Sequence, residues 1–596
     1  MNQYGGVARY GYAPVNKQQE VSRRMLRKLI APGLLALVLV GAVACGGGGD
    51  SEESAPSESD AAAEPTVESS GIDISPALGG NPTAEPSTNP ATGDDKFGGK
   101  LRVLGGDPPT LDPALVSDTS SARIVLELFS GLVRLDNNLQ IVPDIAETWD
   151  ISEGGTVYTF TLRDDAQFSD GTPISAKDFK YAMERAANPD TESTVAELYL
   201  ADIIGVPEII EGDALTASGI EVVDDKTLRF TIDAPKAYFL AKLTYPTAFP
   251  LLQSNVEAGG RTWTDNPIGS GPFTLDEYRI GERMILGRND NYYDRLAYLD
   301  TVEINLAGGV AMAMYEADEI DLTGVGLADL DRVQDPSNAI NRDLVSVPPG
   351  FSTSYLGFNV DEAPFNDVKF RQALAHAIDK DLIAEQVFAG LVRPADGVLP
   401  PLFPGFNDGL QTLDFDPEKA QQLLEESSYP TLSDRDRRIV ITTQGTGGSP
   451  SLSIEVMADM WAQNLGVEVE IQQVEFATYL QDLYRNRLQA FFGGWEADYP
   501  DPQDWIDILF HSESPRNDGN YSNPEVDRLV EQARTEQDVV LRTELYQEAE
   551  QLIINDVAWL PVWWDTQGLA LIKERVNDYN FLPMTIEIFK DVWIEE

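Results

Sequence analysis

Apolar and polar residues alternate with two different periods along most of this chain. Residues 98–104 and 147–168 alternate at every second position, which predicts β-strands. Ile124, Leu128 and Leu132 recur at every fourth position, which predicts a helix. The two patterns keep exchanging along the chain and show no repeat period. The sequence therefore predicts a body of mixed α/β or α+β structure.

Turn-forming residues mark where these elements begin and where domains could join. Ser175 and Asp178 have the spacing of a capping box, which predicts a helix start. The Gly- and Pro-rich segments 266–273 and 348–350 each precede a predicted strand. Both segments are typical of hinges or domain junctions.

The N-terminus has the pattern of an export signal. A basic block at 22–28 precedes an apolar run at 29–44, which is too short for a typical membrane span. The run ends in small residues directly before Cys45, which resembles the cleavage site of a bacterial lipoprotein. We therefore expect residues 1–45 to be a signal peptide whose Cys45 receives lipid. The basic block contains Arg23-Arg24 and leaves both the general and the twin-arginine export routes open.

Residues 46–97 are rich in Gly, Ser, Ala, Pro and acidic residues. Such a composition buries too little apolar surface to fold, and we expect an acidic, disordered tether. Its random-coil reach is on the order of 40 Å, which is enough for a folded body to move above a membrane.

Charge and composition exclude several classes of function. The 596 residues carry a net charge of −55, and most of it lies in the body rather than in the tether. A surface this acidic repels phosphate backbones, so we expect no nucleic-acid partner. With one cysteine and two histidines, the chain can form no intrachain disulfide, and a metal site is not expected.

Several short motifs occur in order along residues 98–565. They are Ala146-Glu147-Thr148-Trp149-Asp150, Tyr158-Thr159-Phe160-Thr161-Leu162-Arg163, Phe168-Ser169-Asp170-Gly171-Thr172-Pro173, Ile268-Gly269-Ser270-Gly271-Pro272-Phe273, Gly357-Phe358-Asn359 with Pro364-Phe365-Asn366-Asp367, Gly494-Trp495-Glu496-Ala497-Asp498-Tyr499-Pro500-Asp501-Pro502, and Asn520-Tyr521-Ser522-Asn523-Pro524-Glu525-Val526-Asp527. No single motif is specific, but the ordered set is. Taken in order, the motifs resemble those of the peptide/nickel class of extracytoplasmic solute-binding proteins that serve ABC importers.

This resemblance implies an α/β fold of the periplasmic-binding-protein type. Two lobes close on a ligand like a trap, and an additional subdomain is inserted in the first lobe. The motifs assign 98–145, 266–350 and 565–596 to lobe I, 146–265 to the inserted subdomain and 351–564 to lobe II. Closure needs only a few residues that absorb the change in backbone angles.

The resemblance also implies a ligand site at the segment 491–499. In peptide-binding relatives this stretch adds the peptide as an extra strand, and the residue that corresponds to Asp498 neutralises the α-amino group. Gly494 would let a ligand backbone approach, and Trp495 and Tyr499 would form walls. Alternatively, Trp495 and Tyr499 are core aromatics and Asp498 caps a turn.

On the facing side, relatives supply small polar contacts at the segment that corresponds to Ser117, Asp118 and Thr119. These residues could equally cap the helix that begins near Ser121. Tyr355, on the strand that opens lobe II, is a further candidate. Some oligopeptide-binding relatives carry a basic residue three places before the tryptophan, where this chain has Phe492. A peptide clamped at both ends is therefore less favoured than a neutral or longer ligand.

We expect a lipid-anchored, extracytoplasmic receptor, monomeric and without a cofactor, that captures peptides and delivers them to an ABC permease and ATPase complex. Oligosaccharides or another non-peptide solute, and a surface-tethered sensor without a transport role, are the alternatives. No nucleophile elbow, zinc-protease helix or phosphate loop occurs in the sequence, so we expect no enzymatic activity.

Overall fold

A computed structural model describes residues 96–433, 435–445 and 449–595. The predicted signal peptide with Cys45, and the predicted tether up to residue 95, lie outside the described residues. The last two residues of the predicted tether contact the body. Phe97 packs edge-on against Tyr298 with ring centroids 5.2 Å apart, and Lys96 pairs with Asp578 at 3.2 Å. The packed body thus includes two residues that we had assigned to the tether.

The first sheet lies within the ranges predicted for lobe I. Its strands have the order β1-β10-β9-β8, with β1 parallel to β10 and the other pairs antiparallel. Leu101, Leu286 and Val302 are fully buried on one face, as the alternating pattern requires. The strands are β1 (Lys100–Leu104), β8 (Phe273–Arg279), β9 (Arg283–Arg288) and β10 (Thr301–Asn305).

A second four-stranded sheet lies entirely within 146–265, the range predicted for the inserted subdomain. It is antiparallel with the order β4-β5-β7-β6. Phe160 and Phe230 are fully buried and pack edge to face across it at 5.7 Å. The strands are β4 (Ala146–Ser152), β5 (Val157–Leu162), β6 (Ile220–Asp224) and β7 (Thr227–Thr231).

A six-stranded mixed sheet lies in the range predicted for lobe II, except for Asp565 at the end of its last strand. Its order is β14-β18-β13-β17-β15-β16, and β15 is parallel to both of its neighbours. The strands are β13 (Ser352–Phe358), β14 (Val392–Pro394), β15 (Arg438–Gln444), β16 (Glu468–Val474), β17 (Ala490–Glu496) and β18 (Trp559–Asp565).

A three-stranded sheet lies where the chain leaves the first four-stranded sheet and enters the six-stranded sheet. Its order is β11-β19-β12, and β12 leads through Pro348, Pro349 and Gly350 into β13. The strands are β11 (Leu322–Gly324), β12 (Leu344–Val347) and β19 (Gly568–Ile572). Two two-stranded ribbons complete the described strands: β2 (Val133–Leu135) with β3 (Ile141–Pro143), and β20 (Val576–Asn577) with β21 (Trp593–Ile594).

Helices cover these sheets. The α-helices are Thr119–Leu128, Ala176–Ala187, Ala196–Leu200, Val206–Ile210, Phe239–Lys242, Gln253–Gly259, Ala311–Glu316, Leu330–Gln334, Val368–His376, Lys380–Leu382, Pro417–Glu426, Leu452–Asn464, Phe476–Leu483, Ile508–Phe510, Pro524–Thr535 and Val539–Asp556. Short 3₁₀ turns occupy Pro189–Thr191, Pro246–Ala248, Gly260–Asp265, Ala339–Asp343 and Phe589–Asp591, and π turns occupy Ile383–Val387 and Gln503–Asp507.

The local predictions agree with these elements except at some boundaries. The capping box of Ser175 and Asp178 is present and starts the helix Ala176–Ala187. The helix predicted from the four-residue spacing ends at Leu128, so Leu132 lies beyond it. Leu132 is fully buried, which explains why it fits an apolar pattern without being helical.

Candidate ligand-binding site

A cavity of about 320 Å³ lies between the strand β17 and segments from the predicted lobe I and inserted subdomain. Seven of the eight residues predicted to bind ligand line it. They are Ser117, Asp118, Thr119, Tyr355, Gly494, Trp495 and Asp498. The volume falls at the lower end of the range typical of small-molecule sites.

Tyr499 is the exception. It is fully buried and does not line the cavity. Its hydroxyl donates a hydrogen bond to Gln503 Oε1 at 2.5 Å, and its ring packs edge-on against Tyr199 at 6.3 Å. Tyr499 is thus a core aromatic, as the alternative interpretation held, and supports the wall from behind.

The strand β17 presents an open edge to the cavity. All seven of its residues pair with β13, but on the other side only Ala490 and Phe491 pair with β15. From Phe492 to Glu496 the second edge therefore has no strand partner among the described residues. An open strand edge can bind an extended peptide through its backbone.

The two glycines of β17 keep this edge accessible for different reasons. A Cβ at Gly493 would lie 3.1 Å from the Tyr479 hydroxyl, so a side chain there would crowd the wall. A Cβ at Gly494 would meet only the Thr353 carbonyl oxygen at 3.6 Å, and Gly494 is exposed. The space above Gly494 thus remains open to a ligand.

Asp498 follows β17 and is held by two contacts. The Tyr199 hydroxyl donates a hydrogen bond to its carboxylate. The Asp498 backbone N–H donates to Asp504 Oδ2 at 3.0 Å, which fixes the backbone. Burial raises the pKa of Asp498 to about 7, although the Tyr199 hydrogen bond and the Arg516 charge lower it. Burial and the neighbouring Asp498 also raise the pKa of Asp504.

Stacked aromatic rings fix the cavity walls. Tyr199 stacks on Tyr245 with centroids 3.7 Å apart, and Tyr355 stacks on Trp559 at 3.3 Å. Tyr245 donates a hydrogen bond to the Val116 carbonyl at 2.8 Å. These rings therefore present a rigid surface to the cavity.

The segment 117–119 lines the cavity and also caps a helix. Asp118 Oδ1 accepts a hydrogen bond from the Ser121 backbone N–H at 3.0 Å and caps the helix Thr119–Leu128. Its second oxygen, Oδ2, is buried without a hydrogen-bond partner in the described part of the chain. The Ser117 carbonyl accepts from the Tyr484 hydroxyl at 3.2 Å, which links the two sides of the cavity.

The cavity also holds charged residues that the sequence analysis missed. They are Arg134, Asp144, Glu496, Arg516 and Glu587. Burial raises the pKa of Asp144 to about 6, and Tyr293 donates a hydrogen bond to it. Glu496 lies inside the predicted ligand segment 491–499, and Asp144 and Arg516 lie just before the motifs at 146–150 and 520–527. Arg134 and Glu587 lie outside every motif, and no sequence signal predicted that the five charged residues would meet.

Comparison with known proteins identifies the family. The pattern described as "Bacterial extracellular solute-binding proteins, family 5 Middle" matches residues 140–517. The chain belongs to this family. Its members are solute-binding proteins of ABC importers, and the predictions of the family and of a binding protein rather than an enzyme are confirmed by this match.

Curated relatives of this family match over most of their length. The chain is 32% identical over 485 residues to the probable deoxycholate-binding periplasmic protein YgiS of Escherichia coli K12, which covers 79% of this chain and 89% of that protein. It is 31% identical over 496 residues to the periplasmic oligopeptide-binding protein OppA of the same organism, covering 80% and 89%. These relatives are periplasmic, which supports an extracytoplasmic location.

A solved structure of the murein tripeptide binding protein MppA of Escherichia coli matches with a TM-score of 0.75 at 28% identity, covering 83% of this chain and 98% of that one. This likeness confirms the two-lobed α/β fold of the family. The unliganded open form of MppA matches with a TM-score of only 0.59. Together with the Tyr199–Asp498 and Tyr484–Ser117 contacts, this difference indicates a closed arrangement around the cavity.

Within residues 96–433, 435–445 and 449–595, no helix is both long and apolar enough to cross a bilayer. In the same ranges, no group of three or more His, Cys, Asp or Glu side chains is arranged to hold a metal ion.

Proposed function

We propose that this chain is the lipid-anchored solute-binding protein of an ABC importer and that it captures peptides between its two lobes. The observation that carries the proposal is the partly buried Asp498 carboxylate, placed at the end of the open strand edge of β17. Relatives named for oligopeptide binding support the ligand class. The captured peptide is then delivered to the permease and ATPase complex.

Each part of this site matches a general feature of a peptide. The edge from Phe492 to Glu496 offers backbone groups to an added strand, which reads the peptide backbone without regard to side chains. Asp498 offers a carboxylate to the α-ammonium group, and such a charge-assisted hydrogen bond is about twice as strong as a neutral one. The open space at Gly494 admits the peptide backbone.

The domain boundaries and the anchor complete the proposal. Lobe I comprises 98–145, 266–350 and 565–596, the inserted subdomain 146–265, and lobe II 351–564. Residues 1–45 direct export, lipid on Cys45 holds the monomeric protein at the cell membrane, and the tether, shortened to 46–95 by the contacts of Lys96 and Phe97, gives it reach. Metabolic labelling with a fatty acid, compared between the natural chain and Cys45→Ala, tests the anchor.

Isothermal titration of the full chain tests peptide capture. We expect a tripeptide with a free amino terminus to bind at least tenfold more tightly than its N-acetylated form. Asp498→Asn should abolish this preference, while Asp361→Asn, at an exposed position outside the cavity, should preserve it. Equal affinity of the natural chain for the free and acetylated peptides would remove the amine clamp from the proposal.

A non-peptide solute is the second candidate, and the aromatic lining favours it. Tyr199, Tyr245, Tyr355, Tyr484 and Trp495 all face the cavity. Their rings suit a sugar or another flat ligand as well as a peptide. Relatives named for deoxycholate and haem binding have comparable identity. A thermal-shift screen with oligosaccharides, bile acids and peptides decides between the candidates. A bound ligand at 100 times its Kd raises the free energy of unfolding by about 2.7 kcal/mol, which the screen detects as a higher melting temperature.

Measuring ligand uptake by cells distinguishes a transport role from a sensing role. If the chain serves an importer, its deletion should abolish uptake of the ligand that the purified protein binds. Normal uptake in the deletion strain would instead favour a surface-tethered sensor.

A further inference from the structure

Arg516 is a buried cation in the wall of the cavity. It is only 5% exposed and belongs to the loop after the helix Ile508–Phe510. Its guanidinium lies 4.1 Å from the ring centroid of Tyr484 and 5.4 Å from that of Trp495. The two rings hold the flat group in one orientation toward the cavity.

The hydrogen-bonding capacity of Arg516 is largely unused. Among the described residues it forms an ion pair with the buried Asp518 alone, at 3.4 Å, which is beyond a good charge-assisted hydrogen bond. Its Nε and Nη1 atoms have no hydrogen-bond partner anywhere in residues 96–433, 435–445 and 449–595. Leaving buried guanidinium donors without acceptors is costly, so an acceptor on a bound ligand would stabilise this wall.

Arg516 and Asp498 act on the same ligand space. Both line the cavity, and both are linked to Trp495: Arg516 packs over its ring, and Asp498 follows it by three residues. The positive charge of Arg516 reaches Asp498, since it lowers the pKa of that carboxyl. A ligand that offered only an ammonium group to Asp498 would leave the guanidinium without an acceptor. A ligand that also carries an anion would satisfy both.

We propose that Arg516 binds a carboxylate of the ligand, so that the cavity selects solutes with a carboxylate close to an ammonium group. This inference rests on the proposed capture of an ammonium group by Asp498. A peptide can supply the carboxylate in two ways. One is the side chain of an acidic first residue, and the other is the C-terminus of a short peptide.

Three matched tripeptides distinguish these sources by titration against the full chain. Asn-Ala-Ala amide is the neutral reference, Asp-Ala-Ala amide adds a side-chain carboxylate, and Asn-Ala-Ala acid adds a C-terminal one. We expect one of the two acidic peptides to bind at least tenfold more tightly than the reference. The peptide that does so identifies the source.

Variants of the chain assign the effect to Arg516. In Arg516→Gln the ratio of affinities for the acidic and neutral peptides should fall close to one, and in Arg516→Lys it should fall less. In Arg485→Gln, an exposed arginine outside the cavity, the ratio should be unchanged. Retained binding of the neutral reference shows that Arg516→Gln is folded.

The outcomes separate this inference from the proposed function. If the natural chain binds all three peptides equally but still prefers a free amino terminus, the carboxylate role of Arg516 is wrong and the amine clamp stands. If the preference for an acidic peptide persists in Arg516→Gln, another cation carries it and the assignment to Arg516 is wrong. If peptides bind equally with free and acetylated amino termini, both proposals fail.

Discussion

Tyr199 and Asp498 lie 299 residues apart in sequence and are joined by a hydrogen bond from the tyrosine hydroxyl to the carboxylate. Tyr199 belongs to the helix Ala196–Leu200 of the proposed inserted subdomain, and Asp498 follows β17 of the proposed lobe II. The bond thus spans the cavity between the two. Because this bond forms only when the two segments lie against each other, the environment of the Asp498 carboxylate depends on whether the cavity is closed.

Tyr199→Phe removes this bond and should weaken peptide binding about tenfold, since a hydrogen bond to a charged group contributes roughly 1.5 kcal/mol or more. The loss has two origins: the closed arrangement is less stable, and the pKa of Asp498 rises further. Isothermal titration at pH 7 measures it. As a control, Tyr429→Phe removes a hydroxyl that bonds Asn366 at 2.7 Å outside the cavity and should leave the affinity unchanged. An unchanged affinity in Tyr199→Phe would show that the bond does not contribute.

The affinity for ammonium ligands should depend on pH around neutrality. Burial raises the pKa of Asp498 to about 7, and only the ionised carboxylate pairs with a cation. Below pH 7 the carboxyl is increasingly protonated, so affinity should fall up to tenfold per pH unit. Above about pH 8 the affinity should fall again, because the α-amino group of the peptide loses its proton there. Titrations between pH 5 and pH 8.5 measure this, and proton uptake or release in different buffers checks it.

In Asp498→Asn the same titrations should give a flat profile at low affinity. A natural chain whose affinity does not change between pH 5 and pH 8.5 would mean that no group in this range controls binding.

The glycine motif at 268–273 predicts a strict packing requirement. A Cβ at Gly271 would lie 2.5 Å from the Glu127 carbonyl oxygen, at the end of the helix that Asp118 caps. Gly271→Ala should therefore lower the free energy of unfolding by about 2–3 kcal/mol through overpacking. Urea denaturation measures the loss. Gly326→Ala is the matched control, since a Cβ there meets no atom within 4 Å. Equal stability of the two variants would contradict the close packing.

A buried ion cluster in the proposed inserted subdomain predicts a large loss of stability when it is broken. Lys236 and Lys242 pair with the two oxygens of Asp202, at 2.5 Å and 2.8 Å, and all three side chains are buried. Asp202→Ala leaves two buried cations without their shared partner. The variant should therefore have a free energy of unfolding that is lower by about 3–5 kcal/mol. Asp225→Ala breaks the exposed pair with Lys177 and should show no measurable loss. Urea denaturation compares the two, and similar midpoints would contradict the prediction.

The local elements were largely predictable because they depend on neighbouring residues. The strand β5 and the capping box at Ser175 follow from short-range patterns that the sequence shows directly. The part of the candidate site on the segment 491–499 was predictable for a similar reason. Asp498, Trp495 and Gly494 occupy one short segment, and a resemblance between segments finds them together.

The rest of the site could not be predicted, because its residues meet only after distant elements pack. Arg516 and Arg134 reach the cavity from loops and strands far apart in sequence, and no periodicity marks either of them. Tyr499 shows the reverse case. It sits beside Asp498 in the motif, but its side chain points into the core.

The sequence by itself determined the export signal pattern, the acidic composition, the mixture of strands and helices and the family. These properties reside in composition and in short-range patterns, which act before the chain folds. The tertiary structure alone decided that Tyr199 meets Asp498, that β17 keeps one edge open and that Arg516 lines the cavity. These relations depend on how the lobes pack, and packing brings together side chains whose separation in sequence carries no signal.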